Sequence, residues 1–303
     1  VDSLFYFNRH QGAQDSIIFE AGGVLYHLFE HGIASKQSLD TDRTIPATVE
    51  PSTQYLPVGR FVCIVNGYDK PIKYLAWPVV QIGTATFKPA IFPLGFHRRP
   101  GTPKAWDVAT NPAAASTTAT DSICVQFKAV PELGLGIDTD GKNNSFKWKV
   151  SFINNAGAES PLSSASEQVN WTTTASAFRY ACAIEIPIGE TGTVARRLYR
   201  TKNFSDDAGN DGSLYYFVAD IPNNFERLYI DDLPDIALGS AAPDNTDSIV
   251  FPSLTCRFMD TYKDCLFIDG GRSNDTTIYF SNPTKPDQFS ALDFIFLGNR
   301  QGG

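Results

Sequence analysis

The sequence predicts an all-β protein in which a β-sandwich is inserted between two other β segments. Apolar and polar residues alternate in several short segments such as 146–152, so that one face can be buried and the other solvated. No segment repeats apolar residues with helical spacing over three turns, and 23 Gly and 19 Pro interrupt the chain too often for long helices. Short strands joined by tight turns are therefore expected throughout.

Three similar segments, residues 16–23, 61–67 and 265–271, indicate a weak internal repeat outside the middle of the chain. Each runs three to five apolar residues into a polar residue and then a glycine. Glycine adopts the positive φ that a tight reversal needs, and Asn or Asp before it favours a hairpin turn. We expect each segment to be a strand that ends in such a turn.

The middle region, residues 119–243, has a different pattern. The small-residue stretch 111–120 precedes it, and residues 238–243 close it. Its alternating or aromatic segments are residues 146–152, 182–188, 195–201, 213–218 and 228–233. A region of about 120 residues with such segments has room for the roughly seven short strands that a β-sandwich needs. Trp148, the 154–157 turn and the 159–162 exit resemble the central hairpin of a fibronectin type III or immunoglobulin-like sandwich, so Trp148 is expected in its core.

The segment 258–271, followed by 277–289, carries a second resemblance. It reads as two strands joined by a Gly/Asn turn and stopped by a loop at Pro283 and Pro286. It resembles one blade of the β-propeller in tail nozzle proteins of short-tailed bacteriophages, and residues 51–71 resemble the first blades of that family. The expected organisation is a propeller-like segment at 1–118, the inserted sandwich at 119–243, and a propeller-like segment at 244–303 that continues beyond Gly303.

The nozzle resemblance implies a structural virion protein and not an enzyme. It implies a homohexameric ring on the tail axis, below the portal and the head-to-tail adaptor, that contacts other tail proteins and helps to retain and eject the genome. Double-stranded DNA would pass through without sequence-specific binding, and assembly would take place in the host bacterial cytoplasm. The alternative is a secreted β-propeller glycosidase or glycan-binding protein with an accessory fibronectin-like module.

The net charge and the cysteine content are consistent with the nozzle resemblance. A net charge of −8 argues against a protein that grips nucleic acid, because phosphate binding depends on Lys and Arg. An acidic surface suits a conduit that repels DNA, and it also simply keeps a protein soluble. The five scattered cysteines are expected to be free thiols in a reducing compartment. No apolar run of 18 residues and no leader is visible, so neither a membrane span nor a secretory signal is expected.

No catalytic, cofactor-binding or metal-binding residue is predicted. His27 and His31 have helical zinc spacing but lie in a strand-like region. The run 138–144 resembles a calcium loop, but its glycine is fourth and not sixth. The pairs Asp206-Asp207 and Asp231-Asp232 invite a glycosidase reading, although turn chemistry explains both.

Two basic segments are candidate contact sites. Arg196, Arg197 and Arg200 lie on one predicted strand with Tyr199, a combination that suits nucleic-acid or partner contacts. Pairing of these arginines with Glu185 and Glu190 is the favoured alternative. The basic loop at 97–103 is expected to be exposed, where partner contacts tend to lie.

Overall fold

The prediction of an all-β fold is confirmed by a computed structural model of the chain. The structure describes residues 3–7, 16–22, 24–29, 37–40, 53–59, 61–75, 81–82, 85–86, 90–106, 127–128, 143–172, 178–179, 182–204, 212–244, 255–271 and 276–298. These residues form antiparallel sheets, and the one helical element among them is a single 3-10 turn at Asp235–Ala237. Within the same ranges, no helix has the length and apolar composition that crossing a lipid bilayer requires.

The chain divides into two compact units, Val1–Arg98 with Ser248–Gly303, and Arg99–Asp247. The strands of the first unit are β1 (Ser3–Phe7), β2 (Ser16–Ala21), β3 (Val24–Phe29), β4 (Gln37–Asp40), β5 (Gln54–Val58), β6 (Phe61–Val65), β7 (Ile72–Leu75), β8 (Gln81–Ile82), β9 (Ala85–Thr86), β10 (Ala90–Pro93), β21 (Met259–Tyr262), β22 (Cys265–Asp269), β23 (Thr277–Asn282) and β24 (Lys285–Phe296). Those of the second are β11 (Lys104–Trp106), β12 (Phe127–Lys128), β13 (Asn143–Phe146), β14 (Trp148–Asn154), β15 (Val169–Thr172), β16 (Phe178–Arg179), β17 (Cys182–Glu185), β18 (Thr193–Thr201), β19 (Tyr215–Ile221) and β20 (Leu228–Asp231).

The described strands of the first unit form three four-stranded antiparallel meanders and one two-stranded hairpin. The first sheet contains β1–β4, the second β5, β6, β7 and β10, and the third β21–β24. The small β8–β9 hairpin lies in the chain between β7 and β10 of the second sheet. Each sheet follows the chain from one edge to the other, which needs only short connections.

The sequence repeat has a structural counterpart, because β2, β6 and β22 are the second strands of the three meanders. The glycines that follow them, Gly22, Gly67 and Gly271, all have positive φ, as the turn chemistry predicts. At Gly271 an added Cβ would lie 2.7 Å from the Thr255 carbonyl oxygen, so the close backbone approach also requires glycine. The repeat thus marks equivalent positions in three sheets.

The second sheet lies between the other two, and its strand β6 is buried on both faces. Val62 and Ile64 pack with Ile18 and Leu25 of the first sheet. Cys63 and Val65, which point the other way, join a second core that the third sheet completes with residues that include Leu266, Ile268 and Phe289. The continuous apolar run of β6 is the pattern expected of a strand covered on both sides.

Two three-stranded antiparallel sheets, β14-β18-β19 and β11-β17-β20, form the main core of the second unit. Trp148 is fully buried there, as predicted, with Val150, Leu198, Ile184 and other apolar residues from both sheets. Three extended serines seal the free edge of β14. The hydroxyls of Ser160, Ser163 and Ser166 accept hydrogen bonds at 2.9–3.0 Å from backbone N–H groups at every second β14 residue.

Three local features differ from the sequence expectations or lie beyond what the structure describes. Strand β11 pairs with β17, so residues 104–106 belong to a sheet of the second unit although they precede the boundary expected at 119. Pro286 lies inside β24 instead of in a loop, which is possible because β24 is an edge strand that needs no N–H donor on its open side. The expected linker at 111–120 is outside the described residues.

Candidate functional site

One end of the second unit is a surface of three loops, residues 154–158, 187–193 and 222–227, which we call the loop end. Backbone and side-chain hydrogen bonds join the loops: the Asn155 N–H donates to the Gly192 carbonyl at 2.9 Å. Asn224 exchanges two bonds with Gly189, accepting from its N–H at 2.7 Å and donating to its carbonyl at 3.1 Å. The three loops are therefore held in one arrangement.

Arg196 holds the third loop, residues 222–227, in place through hydrogen bonds to Asn223. Its guanidinium is fully buried and donates to the Asn223 carbonyl at 3.0 Å and to the Asn223 side-chain oxygen at 3.1 Å. The same side-chain oxygen accepts from the N–H groups of Phe225 and Glu226, which closes the turn. Burial lowers the pKa of Arg196 from its usual value, and the nearby Glu226 carboxylate opposes that shift. The cost of burying this cation is offset by hydrogen bonds that shape the loop.

Phe225 projects from this fixed loop with 76% of its surface exposed. Ile188, on the neighbouring loop, is also exposed. A large aromatic side chain on a preorganised loop loses little entropy on binding, and aromatic residues commonly anchor protein interfaces. The arrangement suits recognition of another protein surface.

The remaining arginines of β18, Arg197 and Arg200, pair with carboxylates, as the favoured reading of that strand expects, although Glu185 is not among these carboxylates. Arg197 binds Glu159 at 2.8 Å and Asp220 at 2.7 Å, and the Asp220 hydrogen bond in particular raises its pKa. Glu185 lies 3.6 Å from Lys104 instead. Tyr199 donates to Glu159 at 2.5 Å, and burial together with that carboxylate raises its pKa.

Arg200 belongs to a network in the core of the second unit. It donates to Asp231 at 3.0 Å and Asp235 at 2.8 Å, and Trp148 Nε1 also donates to Asp231, at 2.8 Å. Arg200 and Asp231 are fully buried. Asp231 is therefore a structural carboxylate, which no substrate can reach, whereas its neighbour Asp232 is exposed. The glycosidase reading of this pair is wrong for Asp231.

In the first unit, Lys73 of the second sheet forms a buried ion pair with Asp287 of the third, and Asp287 also accepts from the Gly95 N–H at 2.7 Å. The charges of this ion pair also contribute to the pKa values of Cys63 and His97. Burial, and next the Asp287 charge, raise the pKa of Cys63, so its thiol is not an activated nucleophile. Burial, and next the Lys70 charge, lower the pKa of His97 to about 4.

The other sequence candidates are not brought together. His27 lies on strand β3, fully buried against Tyr74 with ring centroids 5.3 Å apart, so the helical zinc reading fails as expected; His31 is outside the described residues. Asp138, Asp206 and Asp207 also lie outside them. His97 binds the Pro71 carbonyl at 3.1 Å and is not an exposed loop residue, although Arg98 and Arg99 are exposed. In the described ranges, no three His, Cys, Asp or Glu residues are arranged to hold a metal ion.

No protein-family model and no curated protein matches this sequence. The chemistry of the site therefore has to be judged from its own residues. Sequence analysis did not predict the loop end as a site, because its three loops are far apart along the chain. The one feature that could have indicated a contact surface there is Phe225, an apolar aromatic residue in the turn-rich segment 222–227.

Proposed function

We propose that this chain is a structural subunit of a bacteriophage tail, a nozzle or tail-tube protein that forms a ring around the DNA path below the portal and adaptor. The ring would be a homohexamer assembled in the host cytoplasm, and it would help to retain and eject the genome. The observation that carries the proposal is the set of three stacked four-stranded meanders, whose equivalent second strands end in positive-φ glycines. Repeated sheets of this kind are the building principle of β-propeller blades.

The proposal also assigns a fold to each of the two units. We assign the meanders as propeller-like blades, in keeping with the resemblance carried by residues 51–71 and 258–289. The second unit is assigned as a fibronectin-like sandwich, supported by two three-stranded sheets around the buried Trp148. Its loop end is the surface for the adaptor or another tail protein, since Phe225 is exposed on a loop fixed by Arg196.

The location of the protein is tested with antibodies against the chain and virions of the phage that encodes it. Immunogold particles are expected at the tail, and sixfold averaging of tail images should place the density on the axis. Absence of the chain from purified virions, or labelling of the capsid, would contradict the proposal. Turnover of a glycan by the purified protein would support the glycosidase instead.

If DNA passes through the ring without being held, the isolated protein should bind duplex DNA only weakly. With a net charge of −8 the surface repels phosphates, so duplex DNA should show no tight, salt-sensitive complex in fluorescence anisotropy. A matched histone-like protein serves as positive control. Tight binding that weakens steeply with salt would exclude a passive conduit wall.

The role of the loop end is tested by complementation of a phage that lacks the chain. Phe225→Ala is expected to reduce incorporation of the subunit into tails, because it removes the exposed anchor without touching the core. Leu214→Ala is the control, since Leu214 is also highly exposed, at 61%, but lies outside the three loops. Equal incorporation of both variants would remove the loop end from the interface.

A further inference from the structure

The buried ion pair of the first unit lies in the core that the second and third sheets share. Lys73 is opposite Cys63 in the β6–β7 register and therefore points to the same side as Cys63, which belongs to that core. Asp287 lies two residues before Phe289 on β24, and both side chains are buried. Only 1% of Lys73 and 3% of Asp287 is exposed. An amine and a carboxyl group thus meet in an apolar interior.

The groups around this ion pair are largely apolar. Lys73 Nζ lies 5.1 Å from the centroid of the Phe61 ring, and Leu94 and Phe96, which flank Gly95, are buried. Taking an ammonium and a carboxylate out of water costs solvation free energy that their mutual attraction often fails to return. Conversion of both groups to neutral ones removes this cost. The pair therefore has a physical reason to react.

The two carboxyl oxygens of Asp287 have different partners. Oδ1 accepts a hydrogen bond at 2.7 Å from the N–H of Gly95, whereas Oδ2 is the atom that contacts Lys73 Nζ. A backbone N–H at Oδ1 polarises the carbonyl group and stabilises the negative charge that develops on this oxygen when a nucleophile adds to Cγ. Oδ2 is placed to receive the proton that the amine must lose. Amide formation needs both features.

We propose that Lys73 and Asp287 become joined by an amide bond between Nζ and Cγ, which is a covalent cross-link between the second and third sheets. One proton first passes from the ammonium group to Oδ2, which leaves a neutral amine and a carboxylic acid. The amine lone pair then attacks Cγ, the Cγ–Oδ2 bond breaks, and Oδ2 departs as water with a second proton from Nζ. One amine and one acid give one amide and one water, so the step needs no oxidant or co-reactant.

The folded core favours this condensation in two ways. It holds the nucleophile against the carboxyl group, which replaces an encounter between free groups by a reaction within one molecule. It also excludes water, which in solution keeps both groups charged and favours hydrolysis of the amide. Because both effects are absent from the unfolded chain, we expect the bond to form only after the second and third sheets have packed together.

The cross-link goes beyond the proposed phage function and does not depend on it. Lys73 and Asp287 are 214 residues apart in the chain, and the segment between them contains the second unit, Arg99–Asp247. An amide bond at this position keeps the second and third sheets connected even when the second unit is unfolded or cut. Closing so long a loop also restricts the unfolded chain, which stabilises the first unit.

The single methionine of the chain, Met259, makes the cross-link directly testable. Cyanogen bromide cuts after Met259, which lies between Lys73 and Asp287 in the sequence. On a denaturing, reducing gel the cut parent protein is expected to run as one joined species. Lys73→Arg keeps a positive charge beside Asp287, but its guanidinium stays protonated and does not attack, so this variant should give two fragments. Lys285→Arg is the matched control, because Lys285 lies outside the pair on the same strand, and its cut product should stay joined.

Two separate fragments from parent protein that has been kept folded for days overturn the proposal, and so does a joined species from Lys73→Arg. Mass spectrometry of the parent chain alone gives a second readout, which does not depend on whether Lys73→Arg folds. The mass should be lower than that of the sequence by one water, and a protease digest should contain a branched peptide that links Lys73 to Asp287. Loss of water without that branched peptide would indicate a cyclic imide, for example at Asp269-Gly270, and overturns the cross-link as well.

Discussion

At the scale of single residues, His97 makes the stability of the first unit depend on pH. Its pKa of about 4 lies below the ordinary value of 6.5 because burial, and next the Lys70 charge, disfavour the protonated ring. Between these two values the unfolded chain binds a proton that the folded chain does not. The stabilising effect of the neutral ring is thus full above about pH 6.5 and is lost as pH falls towards 4.

We therefore expect the free energy of unfolding to fall by roughly 2–3 kcal/mol between pH 7 and pH 4 on account of His97. His97→Gln keeps a side-chain donor for the Pro71 carbonyl but cannot titrate, so its urea midpoint should depend less on pH. The same pH dependence in both proteins would show that other groups cause it.

Trp148 combines apolar burial with a polar contact. Trp148→Ala should lower the free energy of unfolding by about 3–5 kcal/mol, because a fully buried aromatic leaves a cavity and Asp231 loses the Nε1 donor. Phe225→Ala is the control, since that ring is exposed, and should change stability by less than about 0.5 kcal/mol. Chemical denaturation measures both. A change below about 1 kcal/mol at Trp148 would contradict its place in the core.

At the scale of elements, the extended segment along β14 shows how a sheet edge is closed without another regular strand. Ser160, Ser163 and Ser166 each accept from a β14 N–H and donate to the carbonyl of the following residue. Their own N–H groups donate to β14 carbonyls at 2.8–2.9 Å. Both polar groups at every second residue of the strand are thus paired, which prevents pairing with another chain.

Ser163→Ala is expected to cost about 1–3 kcal/mol, because the Val150 N–H remains buried without its acceptor. Ser164→Ala is the control in the same segment, since Ser164 is exposed and its carbonyl, which accepts from Ser163, is unchanged. Thermal unfolding followed by circular dichroism compares the two. Equal melting temperatures would mean that the hydroxyl adds nothing to the edge.

At the scale of the whole molecule, the division into two units predicts independent folding of the second. A fragment of residues 99–247 should unfold in one cooperative transition, because its sheets and main core are made within that range. A fragment that starts at 119 lacks β11 and leaves one edge of β17 open, so it should unfold at lower denaturant. Absence of a cooperative transition in the longer fragment would contradict the division.

The sequence by itself determined the all-β class, the turns and the burial of Trp148. These features depend on local patterns: alternation with a period of two, and glycine where φ is positive, as at Gly22, Gly67 and Gly271. It also located strands β14, β17, β18, β19 and β20 of the second unit. Such signals need no knowledge of distant residues, which is why they could be read directly.

Only the tertiary structure decided which groups meet. Lys73 pairs with a carboxylate 214 residues away, and Arg200 with one 31 residues away. The loop end likewise forms because hydrogen bonds tie Gly189 to Asn224 across 35 residues. Many carboxylates could have neutralised these cations, and sequence spacing does not rank them. Sheet stacking and register select the partners, because burial makes an unpaired charge too costly to keep.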